Sequence, residues 1–318
     1  MIHLALPETQ QPLLPVHLVE RAREYARASK SDGTIRTYTS VWRCFTTWCE
    51  SQGVTPCPAT PDTIVAYVVD QAERLKPQSV KKHLAAISQA HLTAGYESPV
   101  QHQSVRLVMQ GLRRTKGVAS APKKALRVEH IRKMVSIIPD TLVGIRDRAI
   151  VLVGFVAGMR RSEIVGLDVE DIAFEPEGAV LTIKKSKRDQ EGKGRQVAVP
   201  FGHHEKTCPV RALRAWLAAS GVTQGPIFIR LDPDGEGQRL DGRAVAHVVQ
   251  RAARRAGLDP SMFAGHSLRR GFCTESARAG ASESEIARTT GHTSMAVLRG
   301  YIEQGTLFTE TAASKLDL

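Results

Sequence analysis

The chain has 318 residues, 42% of them hydrophobic and 24% charged, enough apolar material for two ordinary domains with buried cores. Lys and Arg number 44 against 32 Asp and Glu, a net charge of +12 with a pI near 9.7. Residues 1–124 carry +7 and residues 125–318 carry +5, a spread that suits two domains each touching a polyanion better than a single basic tail. Five cysteines (Cys44, Cys49, Cys57, Cys208, Cys273) are an odd number without a CxxC pair. That argues against a disulfide framework or a structural zinc, and for reduced, mostly buried thiols in a cytosolic protein. The opening MIHLALPETQQPLLP has no cationic n-region, so no secretory signal is expected. The longest apolar run, Ala149 to Met159, is too short to span a bilayer. A membrane partner is therefore not expected, and nucleic acid is the polyanion that remains.

Residues 1–15, rich in Pro and Gln, are expected to be flexible. From Val16 to about Gly111 the apolar pattern is helical throughout. Leu18, Val19, Ala22, Tyr25 and Ala26 fall on one side of a first helix. A second opens near Asp32 and carries Tyr38, Val41, Trp42, Phe45 and Trp48. After a loop punctuated by Pro56, Pro58 and Pro61, a third places Ile64, Val65, Tyr67 and Val68 inward. A fourth spans about Pro77 to Ala94, and a fifth, Ser104 to Arg114, ends in basic residues. Residues 16–114 thus read as a helical domain. Residues 115–124 (TKGVASAPKK) read as a linker, being small, basic and without apolar period.

The second domain, residues 125–318, is expected to mix helices with a small sheet. Val128 to Ile131 starts a helix, and Asp147 to Leu167 contains a long buried one. Val180 to Ile183 and Gln196 to Val199 alternate as strands around a Lys/Gly-rich hairpin. Helices resume at Cys208. In the tail, Thr306 is placed as the cap of a last helix carrying Leu307, Phe308, Thr311, Ala312 and Leu316.

The chemistry lies in residues far apart in the chain. Tyr301 follows His292 by nine positions, His266 and Arg269 form His-x-x-Arg, and Arg160 stands three residues before Glu163. Breaking a phosphodiester without a metal needs an in-line nucleophile and cations for the charge that develops on the non-bridging oxygens. Arginine suits the second task, being always charged and bidentate toward phosphate. A phenol with an ordinary pKa near 10 needs a proton acceptor, a role open to a neighbouring imidazole such as His266. The leaving 5′ oxygen needs a proton, and Lys187 on the hairpin is the candidate donor. No carboxylate pair stands at two-metal nuclease spacing, so neither a catalytic metal nor any other cofactor is expected. Each element has a bland alternative by itself: Glu163 as a helix-face partner of Arg160, the hairpin lysines as a solvated charge run, Tyr301 as packing. Their joint occurrence, in order, carries the argument.

That pattern resembles the tyrosine recombinases, or phage-integrase family, over most of the chain from about Ser31 to Tyr301. AGMRRSEIVGL resembles the Gly-Leu-Arg-x-x-Glu block, with Met159 in place of the usual Leu, and gives Arg160 and Glu163. TIKKSKRDQEGKGRQVAVP resembles the hairpin that bears the general-acid lysine, placed at Lys187 with Lys185 and Lys193 as competitors. GHSLRRGF gives His266 and Arg269, and TGHTSMAVLRGYI gives His292 and the nucleophile Tyr301. The resemblance implies a mainly α fold with a small β-sheet, in which a helical, SAM-like core-binding domain joins a mixed α/β catalytic domain to clamp DNA. It implies double-stranded DNA with a specific target site as partner. It further implies a tetramer on two duplexes, transient 3′-phosphotyrosine links and a Holliday junction, in a layout nearest the Cre or Xer type. Candidate DNA contacts are Arg36, Arg43, Gln78, Lys81, Lys82, Gln89, Arg113, Arg114, Lys123 and Lys124. A type IB topoisomerase and a non-enzymatic DNA-binding regulator remain as alternatives at this point.

Overall fold

A computed structural model describes residues 15–117, 123–184 and 194–307. The chain divides into two compact units, Met1–Ala121 and Pro122–Leu318. The first unit contains five helices: α1 (Val16–Ala28), α2 (Asp32–Gln52), α3 (Pro61–Arg74), α4 (Pro77–Thr93) and α5 (Gln103–Lys116). Their ends follow local chemistry. The Ser31 hydroxyl accepts from the Thr34 amide at the start of α2, and Gly53 closes that helix at φ 65°. Thr60 caps α3, with Pro61 in its first turn. Phe45, Ile64, Tyr67, Val68, Val80 and Ile87 are fully buried together, and Trp42 and Trp48 pack half-buried against them. The α1 stripe behaves differently. Leu18 and Tyr25 are exposed, and the described core begins only at Val41 on α2.

Of the expected linker, residues 115–124, only the two ends are described. Helix α5 runs on through Lys116, and residues 118–122 lie outside the described residues. Lys123 and Lys124 are bound into the second unit by their backbone. The Lys124 amide donates to Met262 O at 2.8 Å, and Arg270 donates to Lys123 O at 2.8 Å. Leu126, two residues on, is fully buried. Two charged side chains hide an anchored backbone, which no composition argument detects.

The second unit is helical around one three-stranded sheet. Helices α6 (Val128–Ser136), α7 (Leu142–Val156) and α8 (Arg161–Gly166) precede it. Strands β1 (Ile172–Glu175), β2 (Gly178–Ile183) and β3 (Arg195–Pro200) pair antiparallel in the order β1-β2-β3, with Leu181 opposite both Ile172 and Val197. Strand β1, Ile-Ala-Phe-Glu, is too short for its alternation to show in the sequence. Helices α9 (Pro209–Ser220), α10 (Gly242–Arg255), α11 (Gly265–Arg278), α12 (Glu283–Thr290) and α13 (Met295–Gly305) follow. Helix α7 is buried almost all round and packs on α9, whose Trp216 indole donates to Ile227 O at 2.8 Å. The buried run expected from Asp147 to Leu167 is broken after Val156, with Gly158 at φ 55°. That break turns the chain so that Arg160 can start α8. Cys273, Ala277, Ile286 and Leu298 form a second cluster that holds α11, α12 and α13 together.

Thr306 closes α13, and the tail helix expected to follow it, through Phe308, Thr311, Ala312 and Leu316, lies outside the described residues. Thr306 is buried, and its hydroxyl donates back to Ile302 O at 3.2 Å. The remaining tail, 308–318, and the N-terminal 1–14 lie outside the described residues.

Candidate active site

Arg160 is the N-cap of α8, in extended backbone, and the Glu163 carboxylate, three residues on, reaches back to accept from its amide. The Arg160 amide donates to Glu163 Oε2 at 2.9 Å, and its guanidinium Nη1 lies 2.5 Å from Oε1. The Glu163 side chain is completely buried. Its carboxylate is also held by Arg195, the first residue of β3, with Nη2 at 3.0 Å from Oε2 and Nη1 at 3.3 Å from Oε1. Burial alone would push this carboxyl up; the Arg195 guanidinium, then the Arg160 amide and side chain, reverse that and hold it below its ordinary value.

Arg269 sits in α11 one turn after His266, on the same face of the helix. It is fully buried, and its Nη1 donates to Gly158 O at 2.9 Å and to Thr290 O at 2.5 Å. Its Nη2 is buried and makes no hydrogen bond among the described residues. A buried guanidinium with one arm uncommitted is expensive to leave so, which marks it as poised for an anion. Burial first, and Arg160 beside it, lower its pKa to about 10, so it stays charged at neutral pH.

Tyr301 lies in α13, half-buried, with its hydroxyl 3.4 Å from Nε2 of His266. The Arg270 guanidinium lies 5.4 Å from the centre of the phenol ring. Arg270 also donates to Gln304, one turn further along α13. His266 is partly open to solvent, yet the protein around its ring desolvates it. That crowding, and then the charges of Arg269, Arg160, Arg270 and Arg161, hold its pKa below the ordinary imidazole value. His292 follows α12, and its ring centre is 6.2 Å from that of Tyr301. Its Nδ1 is 2.6 Å from the Thr290 hydroxyl, which itself donates to Ile286 O at 2.6 Å. A hydroxyl has one proton to give, so Nδ1 of His292 carries the proton in their contact.

Six of the seven expected site residues are therefore gathered from α8, α11, the end of α12 and α13. Lys187 lies outside the described residues, as do its competitors Lys185 and Lys193. The neighbouring Lys184 is described, and its ammonium is 2.6 Å from Asp171 Oδ1. Sequence reasoning missed Arg195 and Arg270. Arg195 reads as one more cation of a basic hairpin, and only the meeting of β3 with α8 shows its partner. Of the candidate DNA contacts in the first unit, Arg36, Arg43, Gln78, Lys81, Lys82, Arg113 and Arg114 are exposed. Gln89 is half-buried and donates to Thr93 Oγ1 at 3.3 Å. In the second unit Lys123 and Lys124 are exposed, and Lys123 donates to Ser261 O while lining the hollow beside Tyr301. Among the described residues no cluster of His, Cys, Asp and Glu is suited to a metal ion, and no helix is long and apolar enough to cross a membrane.

Residues 124–306 match the phage integrase family. An integrase/recombinase XerD homolog of Selenomonas ruminantium is 36% identical over 302 residues, covering 93% of this chain and 89% of the relative. The Cre recombinase of Escherichia phage P1 is 26% identical, covering 98% of this chain and 97% of the relative. Among solved structures, the Tn1549 transposon integrase in complex with transposon right end DNA shares the fold at a TM-score of 0.63 and 15% identity, over 88% of this chain and 92% of that one. A lambda integrase dimer bound to a core site does so at 0.60 and 17%, over 93% and 82%. Together these define an enzyme that cleaves and rejoins DNA. The chain belongs to the phage integrase family, the tyrosine recombinases, and is of Cre/Xer type. Site-specific recombination is the activity this membership supports.

Proposed function

We propose that this recombinase cuts each strand by attack of the Tyr301 oxygen on phosphorus, forming a 3′-phosphotyrosine and releasing a 5′-hydroxyl. His266 takes the phenolic proton, Lys187 gives a proton to the leaving 5′ oxygen, and rejoining runs the same steps backward. Arg160 and Arg269 bind the non-bridging oxygens, with His292 beside them, and Glu163 holds Arg160 in place. No metal or other cofactor takes part. The observation that carries this reading is the 3.4 Å approach of the Tyr301 hydroxyl to His266, one helical turn from a buried guanidinium with an uncommitted arm.

The substrate is duplex DNA with a specific target site, gripped by the exposed cations of both units. In the first unit these are Arg36, Arg43, Lys81, Lys82, Arg113 and Arg114, with Gln78 and Gln89 beside them on α4; in the second they are Lys123 and Lys124. Their role is supported by exposure and by the excess of positive charge. Four protomers on two duplexes, exchanging strands through a Holliday junction in the cytoplasm, complete the proposal. A lambda integrase tetramer bound to a Holliday junction, with a TM-score of 0.57, gives the analogy.

The test begins by selecting bound duplexes from a random pool and building the recovered site as a nicked substrate that traps cleavage. A protein–DNA adduct that survives denaturation and maps to Tyr301 is expected, as is recombination between two copies of the site. Relaxation of a plasmid lacking the site, without recombination between sites, would instead point to a topoisomerase activity.

A further inference from the structure

Three consecutive carbonyls at the end of α12 each receive one guanidinium. Thr289 O accepts from Nε of Arg195 at 3.4 Å, Thr290 O from Nη1 of Arg269 at 2.5 Å, and Gly291 O from Nη2 of Arg160 at 3.4 Å. The C-terminal end of a helix is the negative end of its dipole, so it favours cations there. Two of these arginines have roles in the proposal above, and the third has none.

The surroundings of Arg195 define its task. Both of its terminal nitrogens point at Glu163 in a two-pronged contact, and its side chain is only 17% exposed. It is thus turned inward and is not placed as a loose phosphate contact. Its stem lies flat on Gly291, where an added Cβ would meet Cδ and Nε of Arg195 at 3.0 Å. Gly291 is also at φ 65°, a left-handed conformation that glycine adopts readily. The backbone beneath Arg195 is therefore suited to it twice over.

Charge decides what this contact does. Glu163 paired with Arg160 alone would form a neutral couple, and a neutral couple does little for the negative charge that grows on a phosphate being attacked. With Arg195 the contact holds two guanidiniums against one carboxylate, and Arg269, bound to the same helix end, adds a third positive charge nearby. We propose that Arg195 is a positioning residue for strand cleavage: it satisfies Glu163, so that Glu163 can orient Arg160 without cancelling its charge. It does not touch DNA, and it joins β3, α8 and the end of α12 into one frame around the phosphate. The inference rests on the reading of Arg160 as a phosphate-binding cation.

The experiment uses the full chain and the nicked duplex of the selected site, with Tyr301→Phe as blank. Arg195→Gln should slow adduct formation about 10- to 100-fold while changing DNA affinity less than about 3-fold. Adding Glu163→Gln removes the carboxylate that Arg195 balanced, so the double variant should cleave at least about 5-fold faster than Arg195→Gln alone. A merely structural Arg195 would show no such recovery. Circular dichroism reports folding. If Arg195→Gln is unfolded, Arg195→Lys carries the test, because it keeps the cation but lacks the fork, and about a 3- to 10-fold slower rate is expected. A wild-type rate in a folded Arg195 variant, or a double variant no faster than Arg195→Gln, overturns the inference and leaves the proposed function standing. A wild-type protein that forms no adduct overturns both.

Discussion

The Tyr301 hydroxyl and Nε2 of His266 stand 3.4 Å apart although 35 residues separate them in the chain. Helix α11 presents the imidazole and α13 the phenol. Phenol and imidazole are held toward each other by packing that belongs to neither. Arg270 lies over the phenol ring and donates to Gln304, and the Thr274 hydroxyl donates to Tyr301 O at 3.3 Å. The phenol is therefore fixed from the backbone outward, and removing its oxygen is expected to leave the fold intact.

Tyr301→Phe is expected to bind the selected site within about 2-fold of wild type and to form no adduct, a loss of at least about 1,000-fold. Gel shift measures the first and denaturing electrophoresis the second. An adduct with the Phe variant would place the nucleophile elsewhere.

His266 has a testable pH signature. Its pKa is held below the ordinary imidazole value by desolvation from the protein around its ring and by four arginines, so it is neutral, and able to accept a proton, at pH 7. Cleavage should stay level from pH 8 to about 6.5 and fall only below that. The same shift acts on stability. An unfolded histidine titrates at its ordinary value, so between the two pKa values the unfolded chain binds more protons. Acidification from pH 7 toward 5 should therefore destabilise the fold as the unfolded state takes up that proton first. His266→Gln should show a smaller fall in melting temperature between pH 7 and 5.5. An identical fall in both proteins would remove this residue from the account.

Arg269→Lys should slow adduct formation by about 100-fold or more. One ammonium cannot bond Gly158 O and Thr290 O and still extend a second arm, as the guanidinium does. Single-turnover cleavage of the nicked duplex measures it, and a near wild-type rate would disprove the two-armed role. Wild-type cleavage should proceed within about 2-fold in excess EDTA, because guanidiniums supply the charge a metal would. Loss of activity on chelation would show that a metal does take part.

Much of this site was legible because its parts are short motifs with fixed local geometry. His266 and Arg269 share a face by helical spacing alone, and Arg160 with Glu163 is a helix start readable from four residues. What stayed hidden depends on segments meeting. Arg195 gains meaning only when β3 reaches α8. Arg270 does so only when α13 crosses α11. Lys123 and Lys124 are anchored through backbone contacts with Met262 and Arg270, and Lys123 also through its ammonium on Ser261 O, partners that lie at least 138 residues away in the chain. The exposed stripe of α1 shows the converse limit, since helical spacing predicts the helix and not what covers it.

Gly158 offers a test of how the break after α7 shapes the site. It sits at φ 55°, and a Cβ there would lie 2.7 Å from Thr290 Cγ2 and 2.8 Å from Phe272 Cδ1. Gly158→Ala adds both a strained backbone and a clash, and is expected to cost about 1–3 kcal/mol of stability. Thr290 O and Gly158 O both hold Arg269, so cleavage should fall more than DNA binding. Denaturant unfolding with single-turnover cleavage would check this, and unchanged values in both would show that the break tolerates a side chain.

The last prediction concerns the proton for the leaving group. Lys187 is the proposed donor, and Lys184, on the same hairpin, is already committed, with its ammonium bound to Asp171 and its pKa raised by that contact. An alkoxide leaving without a proton is a poor leaving group, so Lys187→Ala should slow cleavage of the ordinary substrate by about 100-fold. A sulfur in place of the bridging 5′ oxygen leaves as a thiolate, which needs no acid near neutral pH. That substrate should restore Lys187→Ala to within about 5-fold of wild type, because only the proton-transfer demand has been removed. Lys184→Ala should cut the ordinary substrate nearly as fast as wild type and gain nothing from sulfur. Rescue confined to a Lys185 or Lys193 variant would move the acid to that residue. Absence of rescue in all three would mean that the leaving oxygen draws its proton from outside the hairpin.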